Sequence, residues 1–403
     1  MQYTNIVLDH FTSPRNFGEI PDADGIGTIG SEECGDMIQV WIQVSQDGHL
    51  SDIKYKVFGC PAVIACCSIM TELVMGKYLD VAGELTDEQV ADALGGLPVN
   101  KYHCSNLAAS ALHRAIMDYV LQNSNTTNTI TITMLINDVA TDNIQSEHGL
   151  SLWLEYGDKH VLFDTGQTDM ILRNAELLGI HLDSTDAIVI SHGHYDHTGG
   201  LKAVLDIAPK AKVYLHPEAL GPKYSQKDKQ VKKIGMPDSA KEVICDLAGK
   251  GRIVWTEIPT EIVPGLFVTS RIPRNTDFED SGGKFYIHQC CQTIDELLDD
   301  QAIFFETKQG LVVLLGCAHA GVVNSLNYVT KLIQHRHIHA VIGGMHLMNA
   351  NLKRIENTIE AFGKYDVQII APLHCTGKEA AEKIQKASGD KYRPLKAGAK
   401  IVF

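Results

Sequence analysis

The sequence lacks a long hydrophobic run. None of its 403 residues belongs to an apolar stretch as long as the ~18–20 residues that a membrane-spanning helix needs. Its first residues, Met1-Gln2-Tyr3-Thr4-Asn5, carry neither the basic segment nor the apolar segment that opens a secretory signal. We therefore expect a cytoplasmic protein that does not associate with a membrane.

Positive charge is also scarce. Lys and Arg total 35 against 49 Asp and Glu, and the net charge is −14. No basic run is dense enough to form the patch that a nucleic acid would need, so we exclude nucleic acid as a partner. A chain that is 44% hydrophobic and 21% charged is typical of globular protein, which excludes a disordered, collagen-like or coiled-coil chain.

The ten cysteines do not form a disulfide framework, because such frameworks belong to short secreted chains. We interpret them as reduced thiols and ask which of them bind metal. The 18 histidines are unevenly distributed, with four before residue 125 and fourteen after it. The two parts of the chain are therefore expected to perform different chemistry.

A polar segment rich in Asn and Thr, residues 122–128, is predicted to be a linker. It separates a first domain, residues 1–121, from a second, residues 129–403. The first has the pattern of an α+β domain, with a meander of three strands and a last helix from Ser105. The second alternates strands with helices, which predicts a layered α/β architecture.

Three separated thiols are the notable feature of the first domain. Cys34, Cys60 and Cys104 each lie on a predicted turn beside an element end, two of them at helix N-termini, where unpaired N–H groups favour a thiolate. With a nearby Asp or His they could complete a four-ligand iron or zinc site. Their spacing alone leaves open that they are small buried hydrophobes. We favour that second interpretation for Cys66 and Cys67, which lie inside an apolar helix.

Residues 1–121 also carry motifs of a known family: Asp9-His10-Phe11-Thr12-Ser13-Pro14-Arg15-Asn16, Cys34-Gly35-Asp36, Phe58-Gly59-Cys60-Pro61-Ala62-Val63-Ile64-Ala65, Gly95-Gly96-Leu97-Pro98 and His103-Cys104-Ser105-Asn106-Leu107. Through these the domain resembles the NifU/IscU-type iron–sulfur cluster assembly scaffold. The resemblance implies that Cys34, Cys60 and Cys104 bind a labile [2Fe–2S] cluster or zinc. It also implies that Asp36 tunes cluster lability and that His103 is an auxiliary ligand. A cysteine desulfurase and apo iron–sulfur client proteins are the implied partners.

The densest motif of the second domain is Ser191-His192-Gly193-His194-Tyr195-Asp196-His197, between a predicted strand and a helix. Burying three imidazoles and a carboxylate in six residues without an ion would be costly. At a tight turn His192 and His194 can face one cation, and Asp196 and His197 a second. These ligands suit zinc, and iron or manganese less exclusively. We disfavour the alternative of a solvated loop.

Further histidines follow later predicted strands, namely His319, His346 and His374. Ligands and catalytic groups collect at such strand ends in α/β proteins. We rank His319 and His374 first as additional metal ligands. His346 is assigned as either a ligand or a donor to substrate.

The His192-x-His194-x-Asp196-His197 pattern and Phe163-Asp164-Thr165-Gly166 make residues 129–403 resemble the metallo-β-lactamase superfamily. The resemblance implies an αββα fold, one or two zinc, iron or manganese ions, and Asp164 as the partner of a ligating histidine. The runs around His148, Cys317, His346 and His374 resemble a narrower branch of that superfamily. It is named for a 7,8-dihydropterin-6-methyl-aminobenzene ribofuranosyl phosphate synthase activity.

The resemblance implies metal-assisted hydrolysis of an ester, lactam or phosphoester. We expect the substrate to be a small molecule that is phosphorylated or is an ester. Asp196 would orient the nucleophile. Arg271 and Arg274 would hold an anionic substrate or are simply solvated charges. The superfamily's bridging Asp after a later strand is missing, and Cys317 or His319 stands in its place.

The sequence therefore predicts a bifunctional fusion of a cluster assembly scaffold and a metal-dependent hydrolase. One alternative is a di-iron redox protein related to flavodiiron oxygen or nitric oxide reductases. Those proteins carry Glu at the position of His194 and append a flavin domain, and this chain has neither feature. A second alternative, a non-catalytic carrier module, is disfavoured by the complete histidine motif. The sequence leaves the oligomeric state, the substrate and the metals open.

Overall fold

The chain folds as two units, Met1–Ser124 and Asn125–Phe403. The computed structural model describes residues 3–30, 36–98, 101–123, 129–227, 230–333 and 337–403. In those residues no helix combines the length and the apolar character needed to cross a membrane.

The N-terminal unit combines an antiparallel sheet with helices, as its α+β pattern predicts. Its described elements are α1 (Asn5–Thr12), β1 (Gly25–Gly30), β2 (Met37–Val44), β3 (Leu50–Phe58), α2 (Pro61–Val74), α3 (Leu79–Gly83), α4 (Asp87–Ala93) and α5 (Tyr102–Asn123). The strands pair in the order β1-β2-β3. The last helix begins at Tyr102, three residues before the predicted start.

Helix α5 packs closely against strand β1 because two strand positions are glycine. A Cβ atom on Gly25 would lie 2.2 Å from the carbonyl oxygen of Ala115, and one on Gly27 would lie 2.1 Å from that of Ala111. Only glycine leaves room for the helix backbone at this distance. The alanines on the facing side of the helix are fully buried.

His113, on α5, makes the stability of the N-terminal unit depend on pH. Burial lowers the pKa of His113 to about 4, from an ordinary value of 6.5. The unfolded chain therefore takes up this proton first as the pH falls, and stability is lost between about pH 6.5 and 4. We expect unfolding of residues 1–124, followed by Trp41 fluorescence in urea, to cost about 2 kcal/mol less at pH 5 than at pH 7.5.

The matched variants for this effect are His113→Gln and His49→Gln. His113 is 7% exposed, whereas His49 is partly exposed at a strand end. His113→Gln should flatten the pH dependence and His49→Gln should leave it unchanged. An equally steep dependence in His113→Gln would show that another group is responsible.

The C-terminal unit is built from two facing sheets. Among the described residues, the first is formed by β4 (Ile130–Ile136), β5 (Ser151–Tyr156), β6 (Lys159–Phe163), β7 (Ala187–Val189), β8 (Lys212–Leu215), β11 (Ile253–Trp255) and β19 (Lys400–Val402), in the order β11-β8-β7-β6-β5-β4-β19. The second is formed by β12 (Thr260–Val263), β13 (Leu266–Val268), β15 (Ala302–Thr307), β16 (Gly310–Leu315), β17 (Ile338–Gly344) and β18 (Ile369–Leu373), in the order β12-β13-β15-β16-β17-β18.

A small third sheet and the helices complete the unit. The sheet contains β9 (Tyr224–Lys227), β10 (Gln230–Lys233) and β14 (Phe285–Tyr286). The described helices are α6 (Met170–Leu178), α7 (Tyr195–Thr198), α8 (Leu201–Ile207), α9 (Asp238–Ala248), α10 (Val322–Leu332), α11 (Leu352–Lys364) and α12 (Lys378–Ser388).

Side-chain alternation along the strands explains the layers. Val161 and Phe163 of β6 belong to the core between the two sheets, together with Phe305 of β15. Leu162, between them in sequence, belongs to the core that packs against α6 and α8. Successive strand residues point to opposite faces, so a strand that is apolar at every position is covered on both sides. The result is the predicted αββα architecture.

Parallel strand pairs bring the histidine-bearing loops together. Strands β16, β17 and β18 are parallel, with Leu315 beside Gly343 and Gly344 beside Leu373. Phe163 of β6 is likewise beside Val189 of β7. Parallel strands end at the same edge of their sheet, so the segments that follow them are neighbours.

Candidate metal centres

The N-terminal unit gathers two thiols and a carboxylate. A carboxylate oxygen of Asp36 and the sulfurs of Cys60 and Cys104 lie within 4.8 Å of one another, and the two sulfurs are 3.7 Å apart. The backbone N–H of Cys60 donates to Asp36 Oδ1 over 3.2 Å, while Oδ2 is buried with no hydrogen-bond partner among the described residues. His103 Nε2 lies 3.5 Å from the Cys104 sulfur. Cys34 lies outside the described residues.

The N-terminal ends of two helices position the thiols of Cys60 and Cys104. Cys60 is the N-cap of α2, whose first residue is Pro61. Cys104 lies in the first turn of α5, not before the helix as predicted. Burial and the neighbouring Cys60 raise the pKa of Cys104, so the helix N-terminus alone does not give the expected thiolate. A bound cation would supply the missing positive charge.

Cys66 and Cys67 belong to the hydrophobic core of the N-terminal unit. Both are fully buried on α2. Burial raises the pKa of both thiols well above the ordinary range. They match the interpretation of cysteine as a small apolar side chain.

In the C-terminal unit, Asp164 orients two histidines. Ser191 donates its backbone N–H and its hydroxyl to the Asp164 carboxylate, over 2.7 and 2.6 Å. His197 Nδ1 donates to the same carboxylate over 2.6 Å. Since the Ser191 hydroxyl is already donated, His192 Nδ1 must donate to its oxygen over 2.9 Å. Both rings therefore keep the lone pair of Nε2 for the interior of the site.

Two later histidines are oriented in the same way. His319 Nδ1 lies 2.8 Å from the carbonyl oxygen of Ser281, which can only accept, and its Nε2 is buried with no partner among the described residues. His374 Nδ1 donates to Asp138 Oδ1 over 2.6 Å. Such outer partners fix the ring orientation of metal-ligating histidines.

His194 faces His192. Its Nδ1 lies 2.9 Å from His192 Nε2, so the two nitrogens share either a proton or a cation. Its Nε2 is buried and has no hydrogen-bond partner in the described structure. An unpartnered buried nitrogen is costly unless an ion or water satisfies it.

The sulfur of Cys317 lies among these rings. It belongs to one group of ligand atoms with His192 and His319 and to another with His197 and His374, each within 4.8 Å. Its distance from His197 Nε2 is 3.2 Å. The sulfur of Cys317 is therefore shared by both groups and would be a ligand of a cation held by either.

Asp196 completes the inner surface of the site. Its Oδ2 lies 3.2 Å from His148 Nε2, 3.4 Å from His374 Nε2 and 4.0 Å from His197 Nε2. Burial raises the pKa of Asp196, but the hydrogen bonds from His148 and His374 outweigh it and hold the pKa well below the usual range. The carboxylate is therefore ionised and available to a cation.

Burial also keeps three of the rings neutral. It lowers the pKa of His194 to about 3. It holds the pKa values of His192 and His319 well below 6.5, and the neighbouring imidazoles add to the effect. Neutral imidazole is the form that binds metal. The donor set and the unpartnered nitrogens thus fit one or two cations.

Asp164 offers a direct test of this arrangement, because Asp164→Asn replaces one acceptor oxygen with an amino group. The variant cannot accept all three hydrogen bonds, because Oδ1 accepts from the Ser191 N–H while Oδ2 accepts from the Ser191 hydroxyl and from His197. We expect it to bind zinc 10–100-fold more weakly than the parent in a competitive chelator titration. The matched control is Asp186→Asn, since Asp186 accepts from the backbone of His160. Equal affinities in both variants would contradict the orienting role.

The structure brings to the site three residues that were not predicted from the sequence as site residues. Asp138 and His148 are joined by a 3.2 Å contact, and Asp138 also holds His374. Cys375 lies beside Cys317 and His346. The position of Asp138 just after β4 was a usable signal, because strand ends carry functional groups. The pairing of His148 with Asp138 depends on tertiary structure.

The predicted substrate-binding arginines have ordinary surroundings. Arg271 is exposed. Arg274 donates to the carbonyl oxygen of Glu296. A cation that does lie beside the site is Lys232, whose Nζ is 3.1 Å from the hydroxyl of Tyr195 and 4.5 Å from the centre of its ring.

Comparison with known proteins separates the two units in the same way. Residues 2–126 match the family model of the NifU-like N terminal domain, and residues 147–286 match that of the metallo-beta-lactamase superfamily. The first segment is similar to iron-sulfur cluster assembly scaffold protein IscU 1 of Archaeoglobus fulgidus. The two are 52% identical over 121 residues, which cover 30% of this chain and 78% of the relative.

The second segment is similar to 7,8-dihydropterin-6-methyl-4-(beta-D-ribofuranosyl)-aminobenzene-5'-phosphate synthase of Methanocaldococcus jannaschii. Identity is 31% over 268 residues, or 64% of this chain and 90% of the relative. A solved metal-dependent hydrolase of the beta-lactamase superfamily superposes with a TM-score of 0.58 at 31% identity. That match covers 68% of this chain and 98% of the other.

Proposed function

We propose one function for each of the two units. The chain belongs to the NifU-like N-terminal domain family through residues 2–126 and to the metallo-beta-lactamase superfamily through residues 147–286. The chain is a scaffold fused to a metal-dependent hydrolase fold, and the scaffold unit is not catalytic. The ligands, metals, substrate and partners assigned below are our proposals. Of the predicted linker, residues 122–128, the first two belong to the end of α5 and residues 124–128 lie outside the described residues. We retain the cytoplasm as the proposed location.

The N-terminal unit is proposed to hold a labile [2Fe–2S] cluster or zinc through Cys34, Cys60 and Cys104. The observation that supports it is the cluster of Asp36, Cys60 and Cys104 atoms within 4.8 Å. Asp36 is the labile fourth ligand, and His103, which is exposed, is the auxiliary one. A cysteine desulfurase supplies sulfide, and apo iron–sulfur client proteins accept the cluster.

The C-terminal unit is proposed to hydrolyse a small phosphorylated or ester molecule. The observation that carries this proposal is that the Cys317 sulfur lies in two groups of ligand atoms, one with His192 and His319 and one with His197 and His374, each within 4.8 Å. His194 Nδ1 is 2.9 Å from His192 Nε2, at the edge of the first group. When bound there, one or two zinc, iron or manganese ions supply a Lewis acid that lowers the pKa of a water molecule. Buried imidazole and carboxylate groups gathered at one strand edge are costly without an ion, so a purely structural role would be filled better by apolar side chains. His374 Nε2 donates to Asp196 in this structure, and a cation would displace that proton.

Different residues of the C-terminal unit have different roles in the proposed hydrolysis. Asp164, Ser281 and Asp138 hold the ligand rings in place. Asp196 is proposed to orient the attacking water, because its ionised oxygen faces the interior of the site. The phosphate in the name of the Methanocaldococcus jannaschii relative and the exposed Lys232 beside Tyr195 favour an anionic substrate. His346 is retained as either a metal ligand or a donor to that substrate.

Metal removal tests the hydrolase proposal. The full chain should lose hydrolysis of bis-p-nitrophenyl phosphate by at least ~100-fold after dialysis against a chelator. Zinc, manganese or ferrous iron should restore it, because the ligands remain. Hydrolysis that persists in protein shown to be free of metal would overturn the proposal.

A further inference from the structure

Two thiols and an imidazole form a further cluster, and the proposed hydrolysis gives no role to one of its members, the thiol of Cys375. The sulfurs of Cys317 and Cys375 and a ring nitrogen of His346 lie within 4.8 Å of one another. Cys317 is 2% exposed and Cys375 is 5% exposed. The three residues follow β16, β17 and β18, so three neighbouring strand ends each supply one donor.

His346 brings an unsatisfied atom to this cluster. Its Nδ1 is buried and has no hydrogen-bond partner among the described residues. Its ring centre is 4.4 Å from that of His319. The backbone at His346 has a φ of 44°, a left-handed conformation that costs energy for a residue with a side chain. The fold thus maintains a strained residue whose nitrogen lacks a partner.

Glycines let the backbone close around the cluster. A Cβ atom on Gly344 would lie 2.7 Å from the sulfur of Cys375 and 2.3 Å from the carbonyl oxygen of Gly316. One on Gly282 would lie 1.9 Å from Cδ2 of His346. The backbone at Gly344 and at Gly282 therefore packs directly against Cys375 and His346, which fixes the positions of these two side chains.

The donor chemistry selects the occupant. Thiolate and imidazole favour zinc and ferrous iron, whereas calcium and magnesium require oxygen ligands. An ordinary buried cysteine packs as a small hydrophobe. Here the sulfur of Cys375 instead lies 3.8 Å from the carbonyl oxygen of Cys317 and beside the imidazole of His346.

We propose that Cys317, His346 and Cys375 form a thiolate site for a thiophilic divalent cation, zinc or ferrous iron. The site shares the sulfur of Cys317 with the histidine-rich centre. Each thiol releases its proton to solvent as the cation binds. Three protein ligands leave a fourth position for water or another small donor.

Cobalt(II) is the probe, because cobalt–thiolate bonds give a near-ultraviolet charge-transfer band. The background is the full chain with Cys34→Ser, Cys60→Ser and Cys104→Ser, which removes the three thiolates proposed for the N-terminal site. Anaerobic titration of this metal-free background should give a band from two thiolates. Adding Cys375→Ser should halve that band and remove about one cobalt equivalent.

His346→Ala and Cys245→Ser complete the set. His346 is only partly buried, so its truncation spares the core, and it should weaken the last cobalt equivalent by at least ~10-fold. Cys245 is exposed on α9, and Cys245→Ser should match the background. Far-ultraviolet circular dichroism of the metal-free variants checks that each is folded. Metal analysis of anaerobically purified background distinguishes zinc from iron.

The result that would overturn the thiolate site is a cobalt band and stoichiometry unchanged in both Cys375→Ser and His346→Ala. That outcome would leave Cys317 as the sole thiolate ligand of the histidine-rich centre. That outcome would leave the proposed hydrolysis unaffected. The hydrolase proposal is overturned by a different result, namely hydrolysis that persists in metal-free protein. The two proposals therefore fail separately.

Discussion

His192→Ala/His194→Ala should abolish hydrolysis of a generic phosphodiester and remove at least one metal equivalent from the C-terminal unit. His192 Nε2 and His194 Nδ1 are 2.9 Å apart, so the double substitution removes two neighbouring ligand nitrogens from the site. Losing an outer partner of a metal ligand already costs 10–100-fold, so losing two ligands should cost more than ~100-fold in activity or affinity. Metal content and initial rates measure the two effects.

The control is His181→Ala, on a side chain that is 85% exposed. It should retain both the metal and the activity. Activity within a few-fold of the parent in the folded double variant would exclude His192 and His194 as ligands.

His374→Ala separates the later ligands. The ring is buried, and its Nδ1 is held by Asp138, so Nε2 is directed at Asp196. A loss of one metal equivalent is expected in residues 129–403 carrying this substitution. An unchanged stoichiometry would remove His374 from the ligand set and promote His346.

Cys60→Ala and Cys104→Ala should each prevent stable cluster assembly in the N-terminal unit. Their sulfurs are 3.7 Å apart, and the other thiols among the described residues of this unit, Cys66 and Cys67, are held in its hydrophobic core. Anaerobic reconstitution with iron, sulfide and a cysteine desulfurase should give a visible charge-transfer absorption in the parent and little in either variant. Cys67→Ala, in the buried core of the same unit, is the matched control and should reconstitute.

Asp36→Ala should act in the opposite direction and lengthen the life of the cluster. A carboxylate ligand gives way more readily than a thiolate, and Oδ2 of Asp36 is a buried oxygen with no hydrogen-bond partner among the described residues. The decay of the absorption after reconstitution measures it. A shorter lifetime would show that Asp36 holds the cluster and does not tune its release.

The fold was largely predictable because its signals are local. The three-strand meander and the helical spacing in α5 depend on neighbours in sequence, and both the meander and the helix are present. The start of α5 was misplaced by three residues because residues 102–104 have no apolar periodicity. Boundaries of this kind are set by packing and capping.

The candidate site was predictable only where its residues are close in sequence. His192 to His197 lie on one turn and form an evident motif. Asp138 and His148 were not selected, since they meet His374 only where a segment between β4 and β5 of one sheet approaches the end of β18 of the other. Cys375 was overlooked because a cysteine beside a strong candidate histidine has no periodic or spacing signal of its own.

The outward Nδ1 hydrogen bonds have a consequence for the lifetime of the protein in a cell. They hold the inner nitrogens in place whether or not a cation is bound, so the metal-free fold keeps buried lone pairs close together. A cation present at 100 times its dissociation constant would add about 2.7 kcal/mol to the stability of that fold. Chains made during metal shortage would unfold more often and be degraded sooner. Protein abundance would then follow metal supply without any dedicated regulator.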